Sequence, residues 1–130
     1  MKIKKINIHA FRLFKDESVD FTAKRDANSL ANLVAIYAPN GFGKTSFFDS
    51  MEFCITGKIH RLDKAVISDD VKGDKKQAGN KSFIHNKDFP GEKVALKMEF
   101  DDREPVERTC CSDEEYKILE GNGENTFFSN

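Results

Sequence analysis

The chain has 130 residues, enough for one modest domain. Lys and Arg number 21 against 22 Asp and Glu, a net charge of −1, so no global basic field advertises nucleic acid and any DNA contact has to be local or lie outside the chain. No apolar run approaches the ~20 residues that a membrane span needs, and Met1-Lys2-Ile3-Lys4-Lys5-Ile6 lacks the apolar stretch of a signal peptide.

In chain order, Ile3, Ile6 and Ile8 alternate imperfectly with Lys and Asn and predict a strand over 2–9. Val19-Asp20-Phe21 predicts a second short strand that pairs back on the first. The stretch 22–29 is a polar connector. Leu30 to Tyr37, nearly all apolar from Leu33 onward and stopped by Pro39-Asn40-Gly41, predicts a strand buried on both faces. A helix begins near Lys44, with Phe47, Phe48, Met51, Cys54 and Ile55 on one face and Gly57 as its C-terminal cap. The charged stretch Asp69 to Lys81 reads as a loop. Val94, Leu96, Met98 and Phe100 alternate with polar residues, as a half-exposed antiparallel strand does. Val106 to Cys110 and Tyr116 to Leu119 predict further strands, and Gly121-Asn122-Gly123 a hairpin turn. Twelve Phe and no Trp point to a core of Phe with Ile, Leu and Val. Three cysteines (Cys54, Cys110, Cys111), two of them adjacent, make a poor disulfide framework and match no zinc spacing. They point to a cytoplasmic protein with reduced thiols.

The chemistry is concentrated in Ala38-Pro39-Asn40-Gly41-Phe42-Gly43-Lys44-Thr45, between the apolar run and the helix. That context is what a phosphate-binding loop requires. The glycines let the backbone curl and approach phosphate oxygens. The curled N–H groups form an anion nest, and the helix points its positive end at the same spot. Lys44 reaches the β- and γ-phosphates of ATP, and the Thr45 hydroxyl can bind Mg²⁺. The strict pattern opens with Gly, whereas this chain has Ala38.

Residues 39–45 resemble the phosphate loop of the ABC-type ATPase heads, in the branch that contains SMC, SbcC and RecF/RecN proteins. The opening Ile3 to Arg12 and the helix start Ser46-Phe47-Phe48-Asp49-Ser50-Met51-Glu52 are similar to that family as well. The likeness is close over 1–57 and looser over Ser82 to Asn86, Val94 to Phe100 and Val106 to Thr109. It implies an α/β P-loop NTPase fold: the N-terminal lobe of a head, with a mixed sheet around the loop helix and an antiparallel β subdomain. The P-loop core would span 1–62 and the β-rich subdomain 82–130, with a polar loop 68–81 between them. It further implies that Pro39 to Ser46 hold ATP and Mg²⁺ and that Arg12 reaches the nucleotide. Two heads would close on two ATP molecules and drive motion on DNA, with an associated nuclease as a further partner and no membrane. Three parts of a full head are not identified. Lys97-Met98-Glu99-Phe100-Asp101-Asp102 has charges that break the apolar run before Asp-Glu, Leu119-Glu120-Gly121 has the wrong second residue for the signature, and Gln77 is not assignable as the glutamine of its loop. The chain therefore reads as the N-terminal half of a head, which alone binds nucleotide weakly and hydrolyses almost none.

Other residues are weighed against structural roles. His60 and Arg61 follow the helix cap and read as a solvated loop rather than a DNA or nucleotide contact. His85-Asn86 is too sparse for a metal and reads as surface or strand edge. Lys72, Lys75, Lys76 and Lys81 are offset by Asp69, Asp70 and Asp74. Two rival functions stay open: a nucleotide-gated interaction module that does not hydrolyse ATP, and a small nucleotide kinase, which the strand-rich second half disfavours.

Overall fold

The computed structural model describes residues 1–57, 59–60, 84–86, 88–89, 91–110 and 120–121. Strands β1 (Ile3–Phe11) and β2 (Phe14–Asp20) form a hairpin, followed by the short β3 (Thr22–Ala23) and β4 (Asp26–Leu30). Helix α1 (Lys44–Thr56) precedes β5 (Val94–Phe100), β6 (Val106–Cys110) and β7 (Glu120–Gly121). Five strands make one sheet in the order β2-β1-β5-β6-β7, antiparallel at every step. A mixed sheet is the sequence expectation, and the described sheets are purely antiparallel. Strands from both halves of the chain share this sheet, since Ile6 faces Met98 and Ile8 faces Leu96 across the β1–β5 pair.

The alternation in β5 survives intact: Val94, Leu96, Met98 and Phe100 are buried and the residues between them are not. With Ile6, Ile8 and Phe11 of β1 and Val106 of β6 they make the apolar face of the sheet. Helix α1 closes that face with Phe47, Phe53 and Cys54, and the Phe11 and Phe53 rings lie 6.0 Å apart at a tilted angle that suits aromatic pairs. Phe48 is the exception to the expected helix face. It is 59% exposed, and Phe53 is buried in its place. The seam therefore runs through 46, 47, 49, 50, 53 and 54, rotated from the apolar residues alone because Ser46, Asp49 and Ser50 lie on it.

Two further expectations are corrected. The connector 22–29 holds the β3–β4 hairpin, built on backbone pairing and on Asp26, which accepts hydrogen bonds from Asn28 N (3.0 Å) and Ser29 Oγ (2.5 Å). Its polar composition hides two strands, in which Thr22, Asp26, Asn28 and Ser29 are exposed. The apolar run Leu30 to Tyr37 is not a buried strand. Only Leu30 is in a strand, Ala31 N donates to Phe21 O at 2.8 Å, and Leu33 and Tyr37 are 87% and 97% exposed. A strand buried on both faces needs a neighbour on each side, and no described strand pairs with 31–37. Loop 68–81, the strand over 116–119 and the turn at 122–123 lie outside the described residues, as do Arg61, Cys111, Lys72, Lys75, Lys76, Gln77 and Lys81.

The C-terminal end of α1 is finished with care. Gly57 adopts φ 71 and donates its N–H to Phe53 O at 2.9 Å. The next two carbonyls go to a residue that local spacing does not reveal. Arg108, only 4% exposed, donates Nε to Cys54 O (3.2 Å) and its guanidinium NH2 to Ile55 O (3.1 Å). A cation at a helix C-terminus also opposes the negative end of the dipole. Arg108→Met should therefore lower unfolding free energy by about 2–3 kcal/mol, because two carbonyls lose a charged donor. Arg108→Lys should recover part of that loss, since a single ammonium cannot reproduce the fork. Urea titration of the three proteins measures both. The same packing pushes the Cys54 thiol up to about 12, chiefly through burial, with the Arg108 charge acting in the opposite sense. Cys54 is thus an inert core residue, donating weakly to Val106 O.

Candidate phosphate-binding site

The loop Ala38 to Thr45 runs from the exposed apolar stretch into α1. Pro39, Asn40, Gly41, Phe42 and Thr45 are exposed, Lys44 is half-buried, and Gly43 and Ser46 are buried. Phe42 N donates to Pro39 O at 3.4 Å, which marks a turn over Pro39–Phe42. Gly41 and Gly43 take φ 86 and φ 94, conformations that suit glycine. Gly43 is the N-cap of α1. It has no side chain to accept from the first helical N–H groups, and no acidic residue stands in the first turn. The positive end of the helix thus meets no carboxylate from its own first turn. The first helical bond, Phe47 N to Gly43 O, is 2.8 Å.

Lys44 folds back over the loop, and its Nζ donates to Ala38 O at 2.5 Å. Its ammonium is held at the loop by a single neutral acceptor. Behind the loop lies an apolar pocket of about 200 Å³, lined by Phe14, Ile36, Phe42 and Phe47 among others. That lining suits packing and not phosphate, so any anion would sit on the side of the N–H groups.

The tip of the β1–β2 hairpin meets the loop at one point. A Cβ built on Gly43 would lie 3.2 Å from Phe14 Cζ and 3.7 Å from Leu13 Cδ1. Glycine at 43 is thus required twice, by φ and by the contact. Arg12, the first residue of the two-residue turn, has φ 52. Its guanidinium donates to the carboxylate of Asp49 on α1, a side chain only 6% exposed. Asp49 is the site residue that sequence reasoning missed. Its signal is the spacing of a carboxylate four residues after Thr45, one helical turn on.

The other weighed residues sit apart from this loop's bonding. His85 bridges Phe11 as an isolated strand-edge pair, and its ring Nε2 contacts Glu92 O. His60 Nδ1 contacts Glu52 near the end of α1. Asp101 and Asp102 hold the N-terminus, through Lys2 N (2.8 Å) and the Met1 ammonium (3.3 Å) respectively, while Lys97 of the same stretch pairs with Glu107 (3.1 Å). Among the described residues, no cluster of His, Cys, Asp and Glu could hold a metal by itself, and no helix is long and apolar enough to cross a membrane.

No curated protein matches the chain. The family model of the AAA domain matches residues 5–130, which include the phosphate loop, α1 and the antiparallel sheet except the first two residues of β1. The chain therefore belongs to the AAA family of P-loop ATPase domains, for which binding of ATP with Mg²⁺ is general.

Proposed function

We propose that this chain is the ATP-binding lobe of an SMC/RecF-like ATPase, which binds and hydrolyses ATP together with a C-terminal lobe to drive a DNA-linked conformational change, in repair, recombination or antiphage defence. The observation that carries the reading is the loop in its setting. Two positive-φ glycines precede an uncapped helix whose first residue is Lys44. In this reading the N–H groups of residues 41–46 receive the phosphates and Lys44 exchanges Ala38 O for them. Thr45 Oγ1 holds Mg²⁺, which supplies charge neutralisation at the β- and γ-phosphates. Arg12 reaches the nucleotide from the hairpin tip.

The need for a second lobe is supported by the surface beside the loop. Leu33, Val34, Ile36, Tyr37 and Phe48 are all exposed, next to a cleft of about 470 Å³ that Phe21, Phe47 and Met51 help to line. Val34, Ile36 and Phe48 line that cleft themselves, and exposed apolar side chains grouped in this way are what an interface covers. We place the C-terminal lobe there, supplying strand partners to 31–37, and a second head across the phosphate loop. DNA and any nuclease join through that assembly.

The test is Mg-ATP turnover by the chain alone and mixed with the polypeptide that carries the second lobe, with and without DNA. Turnover only in the mixture, rising with DNA, is the expected result. Nucleotide binding with no turnover in any mixture would replace this reading with a nucleotide-gated interaction module.

A further inference from the structure

The β1–β2 turn contains a misplaced residue type. In a two-residue hairpin loop the first position favours φ > 0, and glycine, asparagine or aspartate usually fills it. Here it is Arg12 at φ 52, two residues after Ala10 at φ 53. Holding two side-chain-bearing residues in this region costs about 1–2 kcal/mol each, so the surroundings must over-determine the shape. They do so on the backbone: Asn86 N donates to Ala10 O at 2.8 Å, and Arg12 N donates to Ile84 O at 2.7 Å. At this end β1 exchanges its partner β5, last paired at His9, for the segment 84–86.

The side chain is over-determined too. The side chain of Arg12 is 22% exposed, and its guanidinium lies on the carboxylate of Asp49, which is buried on the first half of α1. Helical side chains lean toward the N-terminus, so a carboxylate at position 49 covers the turn that begins at Thr45. Residues four apart on a helix have Cβ atoms about 5–6 Å apart. An arginine clamped to Asp49 is thus presented within one helical turn of the Thr45 hydroxyl, before any nucleotide arrives.

Resting on the nucleotide-binding reading above, we propose that Asp49 is a positioning residue: it does not touch the nucleotide, but it holds Arg12 pre-aimed at the phosphate-Mg²⁺ end of the site. The strained turn and the buried carboxylate are two halves of one device. The turn directs the Arg12 stem toward α1, and the carboxylate fixes the fork at its end. Pre-organisation of this kind raises affinity by removing the entropy of ordering a long side chain on binding.

Calorimetric titration of the chain with MgATP tests this on Asp49→Asn, which keeps the volume, on Arg12→Ala, on the double variant and on Lys44→Ala. Asp49→Asn should weaken ATP about tenfold, the scale of one charge-assisted contact. Arg12→Ala should weaken it equally or more, and the double variant no more than Arg12→Ala alone. Wild-type affinity in Asp49→Asn overturns the proposal, even if its melting temperature falls, because that is the result of a purely structural pair. Multiplying losses in the double variant overturn it as well. Should Asp49→Asn not fold, the side-chain Nε–Hε resonance of Arg12 in the unchanged chain decides. It should be immobilised before nucleotide is added, and motional averaging there would refute the clamp. Lys44→Ala separates the two readings. If the wild type binds and Lys44→Ala does not, a silent Asp49→Asn sinks the positioning role alone. If the wild type and Lys44→Ala do not differ, the phosphate site itself is wrong and the proposal falls with it.

Discussion

Lys44→Ala should weaken MgATP binding by about 100-fold, the ~2.7 kcal/mol of a charged group lost from a phosphate contact, while the chain stays folded. The geometry separates the two effects. Among the described residues, the Lys44 ammonium of the free chain bonds Ala38 O alone, at 2.5 Å, and the side chain is only half-buried. Its removal from the folded state therefore deletes one hydrogen bond at a surface loop, worth roughly 1 kcal/mol. With nucleotide, the same ammonium would face several phosphate oxygens at the positive end of α1, where no carboxylate of the first turn competes. Titration calorimetry reads the first number and thermal melting the second. Unchanged affinity with an intact fold would remove the phosphate-site assignment.

Gly43→Ala should be more damaging to the fold than Gly41→Ala, although both glycines have positive φ. At Gly41 (φ 86) an added Cβ meets nothing within 4 Å, so the penalty is conformational, about 1 kcal/mol. At Gly43 (φ 94) the same Cβ meets Phe14 Cζ at 3.2 Å, and that ring sits on the hairpin carrying Arg12. The ring must give way or the loop must lift. The added penalty is that of overpacking, typically 1–3 kcal/mol. Denaturant melts of both variants measure the difference, and Phe14→Leu in the Gly43→Ala background should return part of it. Equal melts for the two alanine variants would show that the hairpin does not press on the loop. Nucleotide affinity should fall further for Gly43→Ala, because both Lys44 and Arg12 are displaced with the contact.

The sequence makes β1, β5, β6 and α1 legible because each has a signal in its own residues. Alternation places Ile6 and Ile8 opposite Leu96 and Met98, and Gly57 ends the helix at the position its type predicts. The turn before α1 is legible for the same reason, since the positive φ of Gly41 and Gly43 falls where the glycines stand. What stays hidden depends on partners far away in the chain. Asp49 meets Arg12 across 37 residues and Arg108 meets Cys54 across 54, and no local spacing encodes either meeting. Leu33 to Tyr37 failed in the opposite way. Apolar composition states that a segment can be covered, but whether it is depends on neighbours, and no described strand provides them. Polar 22–29 shows the converse, forming paired strands from largely polar residues.

Two arginines grip α1 from the sheet, one from the hairpin of its edge strand and one from β6. Arg12 takes the carboxylate midway along the helix, and Arg108 takes the carbonyls of the last turn. Such a helix cannot slide like a piston, because axial travel of even one residue would break both grips at once. Helix and sheet therefore form a single stiff lever. A displacement at the phosphate loop would be carried by helix and sheet together, and bending would concentrate in residues 31–40, with which no described strand pairs.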